Sequence, residues 1–117
     1  MPSKIVEYKH VGDISLNLHI FNPKMHQETD NRPAIVFFHG GGWNSGTPRQ
    51  FYRQSEYLAD RGMVAISAEY RLAQKHYSTP KESVKDGKSA MRWIRAHAKE
   101  LGINPNMIAA GGGSAGG

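Results

Sequence analysis

Two glycine-rich segments of the sequence carry residues that could do chemistry. His39-Gly40-Gly41-Gly42-Trp43 follows the apolar run 34–38, and Gly112-Gly113-Ser114-Ala115-Gly116 follows the apolar run 107–110. The second segment fits the pattern G-x-S-x-G, in which a serine sits on a tight strand-to-helix turn that exposes its hydroxyl. In the first segment, residues without side chains let backbone N–H groups approach a substrate oxygen closely. Together the segments predict a serine nucleophile beside an oxyanion hole.

The residue types predict a role for each position in these segments. Ser114 would attack a carbonyl carbon, and the backbone N–H groups of Gly41, Gly42 and Ala115 would hold the oxyanion that forms. Loss of one such donor typically costs about 3 kcal/mol of transition-state stabilisation. Trp43 would either shape an acyl pocket or pack against its own loop. The positions that would support the two segments are His39, Gly40, Trp43, Gly112 and Gly116.

Hydrophobic patterning predicts the strands that position these segments. Ile14, Leu16, Leu18 and Ile20 alternate with polar residues, which is typical of a strand with one buried face. Residues 4–11 precede this strand through Gly12-Asp13 and complete an antiparallel hairpin within residues 1–22. From residue 34 the pattern changes to continuous apolar runs at 34–38, 64–68 and 107–110. Such runs predict strands that are buried on both faces.

Helices are predicted between these runs. Thr47-Pro48-Arg49-Gln50 combines an N-cap, a proline at the first helical position and a capping-box glutamine, and Gly62 can end that helix with a positive φ. Ser83 and Asp86 form a second capping box. An apolar stripe follows it and ends at Gly102: Met91, Ile94, Ala98 and Leu101. Residues 34–117 therefore predict a βαβαβ unit whose parallel strands end at one edge, where open α/β sheets bind ligands.

Composition excludes several classes of protein. The 117 residues predict one α/β domain over 1–117 without cysteine, which excludes disulfides, and no histidine spacing predicts a metal site. The net charge of +5 comes from scattered lysines and arginines, which indicates a solvated surface rather than a nucleic-acid interface. No apolar run is long enough for a membrane span, and the N-terminus lacks the apolar region of a signal peptide. We expect a cytoplasmic protein that uses no cofactor.

Other residues with catalytic potential have simpler explanations. Five histidines fall on predicted surface elements: His10, His19, His26, His76 and His97. Helix capping explains Asp86, and packing beside the apolar stripe explains Trp93. Residues Gly111–Gly116 also fit G-x-G-x-x-G, so a dinucleotide-binding unit of the Rossmann type is an alternative. No acidic residue follows about 20 positions later to bind a ribose, and this alternative leaves the segment 39–43 unexplained.

The motifs together resemble the first part of an α/β-hydrolase of the hormone-sensitive-lipase-like carboxylesterases. They are especially similar to the HGGGW-type bacterial esterases, which include acetyl and feruloyl esterases. The matching stretches are 39–43, Glu69-Tyr70-Arg71-Leu72, Asp86 with Ala90 and Trp93, and 112–117. The resemblance implies that Ser114 is the nucleophile, that His39 supports the oxyanion loop rather than acting as a base, and that residues 70–72 are structural. Gly113 departs from the lipase-like branch, which has aspartate there, and favours the sugar-ester branch.

The resemblance also implies that part of a catalytic triad lies elsewhere. In α/β-hydrolases the acid and the histidine follow the serine along the chain, and three residues follow Ser114. We therefore expect the N-terminal part of a serine esterase for short-chain carboxylic esters, acetylated sugars among them. Alone it would be inactive and would self-associate through an uncovered strand edge. If the chain is complete, a non-catalytic binding or scaffold protein is the alternative.

Overall fold

The computed structural model describes residues 1–39, 47–72 and 80–112. Its strands are β1 (Lys4–Val11), β2 (Ile14–Phe21), β3 (Arg32–Phe38), β4 (Val64–Ala68) and β5 (Ile103–Gly112). Its helices are a 3₁₀ turn (Pro48–Phe51), α1 (Tyr52–Ala59), α2 (Pro80–Ala96) and α3 (Ala98–Leu101). The strands form one five-stranded mixed sheet in the order β1-β2-β4-β3-β5. The predicted α/β architecture, an N-terminal hairpin followed by parallel strands with crossover helices, is confirmed.

The N-terminal hairpin pairs β1 with β2 as predicted, and Gly12 occupies its turn with a φ of 57°. Leu16, Leu18 and Ile20 are at most 1% exposed and pack in the main core. The prediction of a single buried face is wrong for the second half of β2, because His19 and Phe21 are buried as well. There β2 pairs with β4, and Tyr52 of α1 packs against both of these side chains.

The parallel part of the sheet consists of β4, β3 and β5. β3 pairs in parallel with β4 on one side and with β5 on the other, which confirms the predicted crossovers. All five residues of β4 are buried, in agreement with its continuous apolar run. For β5 the prediction of burial on both faces is wrong, since Met107 is 51% exposed and Ala109 and Ala110 are also exposed. Within the described ranges β5 is an edge strand that pairs with β3 alone.

The two helical regions begin differently from one another. Thr47 caps the first through its Oγ1, which accepts from the Arg49 N–H at 3.3 Å, but the first turn is a 3₁₀ turn before α1 begins. The second region begins at Pro80, so the predicted capping box at Ser83 and Asp86 is wrong: both residues lie inside α2. Among residues 80–112, the predicted stripe is confirmed, with Ile94, Ala98 and Leu101 at most 7% exposed.

Two predicted helix ends are confirmed by glycine residues with positive φ. Gly62 follows α1 with a φ of 95°, and Gly102 follows α3 with a φ of 70°. A Cβ atom at residue 102 would lie 2.4 Å from the carbonyl oxygen of Gln27, so this position requires glycine for space as well as for conformation. None of the helices in the described part of the chain has the length and apolar character needed to cross a membrane.

Candidate functional site

The candidate site lies at the edge of the sheet where the parallel strands end. β3 and β5 are neighbours, and Phe38 at the end of β3 pairs with Gly112 at the end of β5. The two glycine segments of the sequence therefore start from adjacent strands and at the same level. Of the predicted site residues, the structure describes His39 and Gly112. The others lie outside the described residues: Gly40, Gly41, Gly42, Trp43, Ser114, Ala115 and Gly116.

His39, the first residue of the first glycine segment, is buried. It is 1% exposed, and its imidazole stacks on the Tyr70 ring with 4.6 Å between centroids and 19° between planes. The Tyr70 hydroxyl donates a hydrogen bond to the His39 backbone carbonyl at 2.5 Å. Burial raises the pKa of the Tyr70 hydroxyl above its ordinary value, so the group stays protonated and remains a donor. The side chain and the backbone of His39 are thus both held by Tyr70.

Tyr70 belongs to a short segment after β4 that other elements hold in place. Tyr70, Arg71 and Leu72 are 2%, 8% and 5% exposed. The backbone N–H of Glu69 donates to the Asn17 carbonyl at 3.0 Å, and a Glu69 carboxylate oxygen accepts from the Asn17 N–H at the same distance. The Tyr8 hydroxyl donates to the Glu69 carbonyl at 2.5 Å. These contacts agree with the structural role that the resemblance implied for residues 70–72.

Asp86 of α2 also holds residues 70–72 in place, through contacts with Arg71. Arg71 donates to both of its carboxylate oxygens from Nε and Nη2 at 2.9 Å, and Lys9 Nζ donates to Oδ1 at 2.7 Å. Ser83, one turn earlier, donates to the Arg71 carbonyl at 2.5 Å. Burial alone would raise the pKa of Asp86, but the hydrogen bonds from Arg71 and Lys9 bring it below its usual value. Asp86 is therefore an anchor for Arg71 rather than a helix cap.

The described histidines outside the glycine segment contact other partners. The prediction of a surface position is wrong for His19, which is 9% exposed: Nε2 lies 2.8 Å from a Glu69 carboxylate oxygen and Nδ1 lies 2.5 Å from the Tyr52 hydroxyl. His26 Nε2 lies 2.7 Å from the Leu101 carbonyl, and His97 stacks on Trp93. His10 lies on the exposed part of the hairpin, and His76 lies outside the described residues. Trp93 is half-buried at the margin of the core.

Sequence patterns did not reveal Tyr70, His19 or Asp86 as parts of these arrangements. Each of them pairs with a residue far along the chain, as Tyr70 does with His39, 31 positions away. Local periodicity carries no information on such pairs. For His19 the available signal was the apolar Phe21 two positions later, which indicates that the second face of β2 also becomes buried; for Tyr70 and Asp86 it was the family resemblance, which marked both residues without their partners. Among residues 1–39, 47–72 and 80–112, no three His, Asp or Glu side chains are grouped in a way that could hold a metal ion.

Comparison with known proteins identifies a matching family and several relatives. The family model described as BD-FAE matches residues 18–117. The probable carboxylic ester hydrolase LipM of Mycobacterium tuberculosis is 33% identical over 119 residues, which cover 95% of this chain and 27% of LipM. Carboxylesterase NlhH from the same species is 36% identical over 89 residues, covering 75% of this chain and 27% of NlhH.

Solved structures of one bacterial esterase are similar to nearly the whole chain. Esterase 2 (Est2) of the planctomycete Thermogutta terrifontis, solved with propionate bound, is 50% identical with a TM-score of 0.95 over 97% of this chain and 42% of Est2. The structure of the same esterase phosphorylated by paraoxon gives the same identity and TM-score over 97% of this chain and 44% of that chain. The chain spans about a quarter of the length of the curated relatives it matches.

Proposed function

Because this chain belongs to the BD-FAE family, we propose that it supplies the nucleophile and the oxyanion hole of a serine carboxylic ester hydrolase. The observation that carries the proposal is the parallel pairing of Phe38 with Gly112, which starts the two glycine segments side by side at one sheet edge. Ligands of open α/β sheets bind at that edge. The relatives named as carboxylic ester hydrolases support the same assignment, and they favour it over dinucleotide binding through Gly111–Gly116.

The proposed mechanism is acyl transfer through a covalent intermediate. The Ser114 hydroxyl attacks the ester carbonyl and its proton passes to a histidine acting as general base; the histidine gives that proton to the departing alkoxide, which leaves as the alcohol. The N–H groups of Gly41, Gly42 and Ala115 hold the negative charge that develops on the carbonyl oxygen. Water then attacks the acyl-enzyme and releases the carboxylic acid. Short-chain acyl groups are the proposed substrates, supported by the Est2 structures with bound propionate and butyrate; acetylated sugars are among the candidate esters.

The general base and the triad acid are proposed to come from outside these 117 residues. His39 is buried against Tyr70, His19 is bound between Glu69 and Tyr52, and Asp86 is bound by Arg71 and Lys9. These groups are therefore poorly placed to accept a proton from a serine at the sheet edge. His39, Gly40, Trp43, Gly112 and Gly116 are proposed to shape the two segments. We expect the 117-residue chain by itself to hydrolyse p-nitrophenyl acetate at the background rate.

The test is ester turnover by the full-length protein with two matched serine variants. Ser114→Ala should reduce kcat for p-nitrophenyl butyrate by about 10⁶-fold, to the level of catalysis without a nucleophile. Ser55→Ala is the control, because Ser55 is buried in α1 and its Oγ has no hydrogen-bond partner in the described part of the chain. It should retain wild-type kcat. Wild-type turnover by Ser114→Ala would contradict the proposal.

A chimera with Est2 tests the same residues within a longer esterase whose structure is solved. Residues 1–117 would replace the matching part of Est2, to which they are 50% identical. If the proposal is right, the chimera hydrolyses p-nitrophenyl butyrate, and Ser114→Ala abolishes that activity while Ser55→Ala does not. A folded chimera whose activity survives Ser114→Ala would contradict the assignment of Ser114.

A further inference from the structure

The contact between Tyr70 and His39 joins the residues that follow β4 to the residue that follows β3. Tyr70 is 2% exposed and His39 is 1% exposed, so the 2.5 Å hydrogen bond between them is shielded from water. A hydrogen bond in such a setting is stronger than one at the surface, because water does not compete for the acceptor. The stacked rings add a second contact between the same two residues.

The acceptor of this hydrogen bond belongs to the peptide unit between residues 39 and 40. A peptide unit is planar, so a carbonyl oxygen held in one direction also fixes the direction of the N–H group across the same bond. The Tyr70 hydroxyl thus holds the last described carbonyl before the glycines of the first segment. Gly41 and Gly42, the proposed oxyanion donors, are the second and third residues after His39.

We propose that Tyr70 is a positioning residue for the oxyanion hole, which it orients through the backbone carbonyl of His39. This inference rests on the proposed function, since it concerns donors assigned there. Tyr70 touches neither the substrate nor the reacting atoms in this account. Its effect is on where the N–H groups of Gly41 and Gly42 lie when negative charge develops on the substrate oxygen.

The neighbours of Tyr70 make it a firm support. Glu69 exchanges two hydrogen bonds with Asn17 of β2, and Arg71 is bound by Asp86 of α2. Tyr70 therefore lies between two residues that are anchored on two separate elements. A donor held in this way transmits position, because neither its own backbone nor its ring can shift without breaking buried contacts.

The chain offers a matched pair of tyrosines for the test. Tyr8 and Tyr70 each donate a hydrogen bond of 2.5 Å from a buried hydroxyl to a backbone carbonyl, Tyr8 to Glu69 and Tyr70 to His39. Tyr8→Phe and Tyr70→Phe therefore remove the same chemical group and the same type of bond. Only the Tyr70 bond ends on the segment that leads to the proposed donors.

Kinetics of the full-length protein on p-nitrophenyl butyrate would separate positioning from general stabilisation. Tyr70→Phe should lower kcat by about 10- to 100-fold, as expected when reacting groups are slightly misplaced, with KM changed less than about twofold. Tyr8→Phe should leave kcat and KM near the wild-type values. It should change Tm by about as much as Tyr70→Phe does. Replacing Tyr70 by p-aminophenylalanine, which restores a weaker donor, should give a kcat between those of Tyr70→Phe and the wild type.

Equal kcat values for Tyr70→Phe and Tyr8→Phe, whether both high or both low, would overturn the inference. If Tyr70→Phe does not fold, the p-aminophenylalanine variant decides: a reduced kcat at unchanged KM supports positioning, and a wild-type kcat overturns it. The proposed function fails separately, through Ser114→Ala. Loss of activity in Ser114→Ala together with wild-type kinetics in Tyr70→Phe would leave the esterase assignment intact and remove the role of Tyr70.

Discussion

β4 and β5 each contain a continuous apolar run, at 64–68 and 107–110. Both strands pair in parallel with β3, yet they lie in different surroundings. All five residues of β4 are buried, whereas Met107, Ala109 and Ala110 of β5 are exposed. β4 lies between β2 and β3 and packs against α1, while β5 forms the edge of the sheet in the described part of the chain. An apolar run therefore identifies a strand, but the neighbours of that strand decide how much of it is buried.

The largest expected effect concerns the segment that continues β4. Asp86→Ala would leave the buried guanidinium of Arg71 without the carboxylate that binds it through Nε and Nη2. Removing one partner of a buried ion pair costs about 3–5 kcal/mol, and urea denaturation would measure the loss. Glu82→Ala is the control, because the Glu82 side chain is 40% exposed and also pairs with Arg71. It should cost about 0–1 kcal/mol; equal losses would contradict the anchoring role of Asp86.

A pair of truncations compares the two strands themselves. Ile66→Ala in β4 removes a side chain that is 0% exposed and should lower the free energy of unfolding by about 2–5 kcal/mol. Met107→Ala in β5 removes one that is 51% exposed and should change it by about 0.5 kcal/mol or less. Denaturant titrations of both variants measure the difference. Similar losses would mean that β5 is as well covered as β4.

Low pH should weaken the buried interaction between Asp86 and Arg71 beside β4. The pKa of Asp86 lies below its usual value in the folded protein, so its ionised form stabilises the fold at and above the pKa of about 3.9 that it has when unfolded. That contribution is lost as the pH falls through the lower folded pKa. The gap in unfolding free energy between the wild type and Asp86→Ala should be constant from about pH 5 to 7 and narrow below about pH 4. A gap that is unchanged at pH 3 would contradict this assignment.

The smallest expected change in stability concerns the edge of β5. Ala109 is exposed, so Ala109→Lys should alter the free energy of unfolding by only about 0.5 kcal/mol. An exposed strand edge can pair with another chain, and a lysine on the edge opposes this. We expect the isolated 117-residue chain to associate at micromolar concentration and the lysine variant to associate less. Sedimentation velocity would measure both, and a monomeric wild-type chain would contradict the expectation.

The sequence predicts local features of this fold well and long-range pairing poorly. The hairpin, the three parallel strands and the glycine ends at Gly62 and Gly102 follow from periodicity and backbone conformation, which are properties of neighbouring residues. The partners of Asp86 lie 15 and 77 positions away, so its spacing from Ser83 indicated a helix cap instead. The sequence predicts a surface position for His19 for a similar reason, because the burial of this residue depends on α1 and on Glu69.

In the candidate site, too, the local features could be predicted from the sequence and the long-range contacts could not. Sequence motifs identified both glycine segments, and the topology rule for parallel sheets predicted that they leave the same edge. The pairing of Phe38 with Gly112 agrees with that rule. The hydrogen bond from Tyr70 to His39 could not be predicted, because it depends on the side-by-side arrangement of β3 and β4 and on the direction of one hydroxyl.

The most direct test of the account is covalent labelling of the nucleophile with paraoxon, which phosphorylates Est2. The full-length protein would be treated with paraoxon, digested and analysed by mass spectrometry. We predict one diethylphosphoryl group on the peptide that contains Ser114, a parallel loss of esterase activity, and no label on the Ser114→Ala variant. Labelling of a different residue with the same loss of activity, or labelling that persists in Ser114→Ala, would contradict the assignment of Ser114 as the nucleophile.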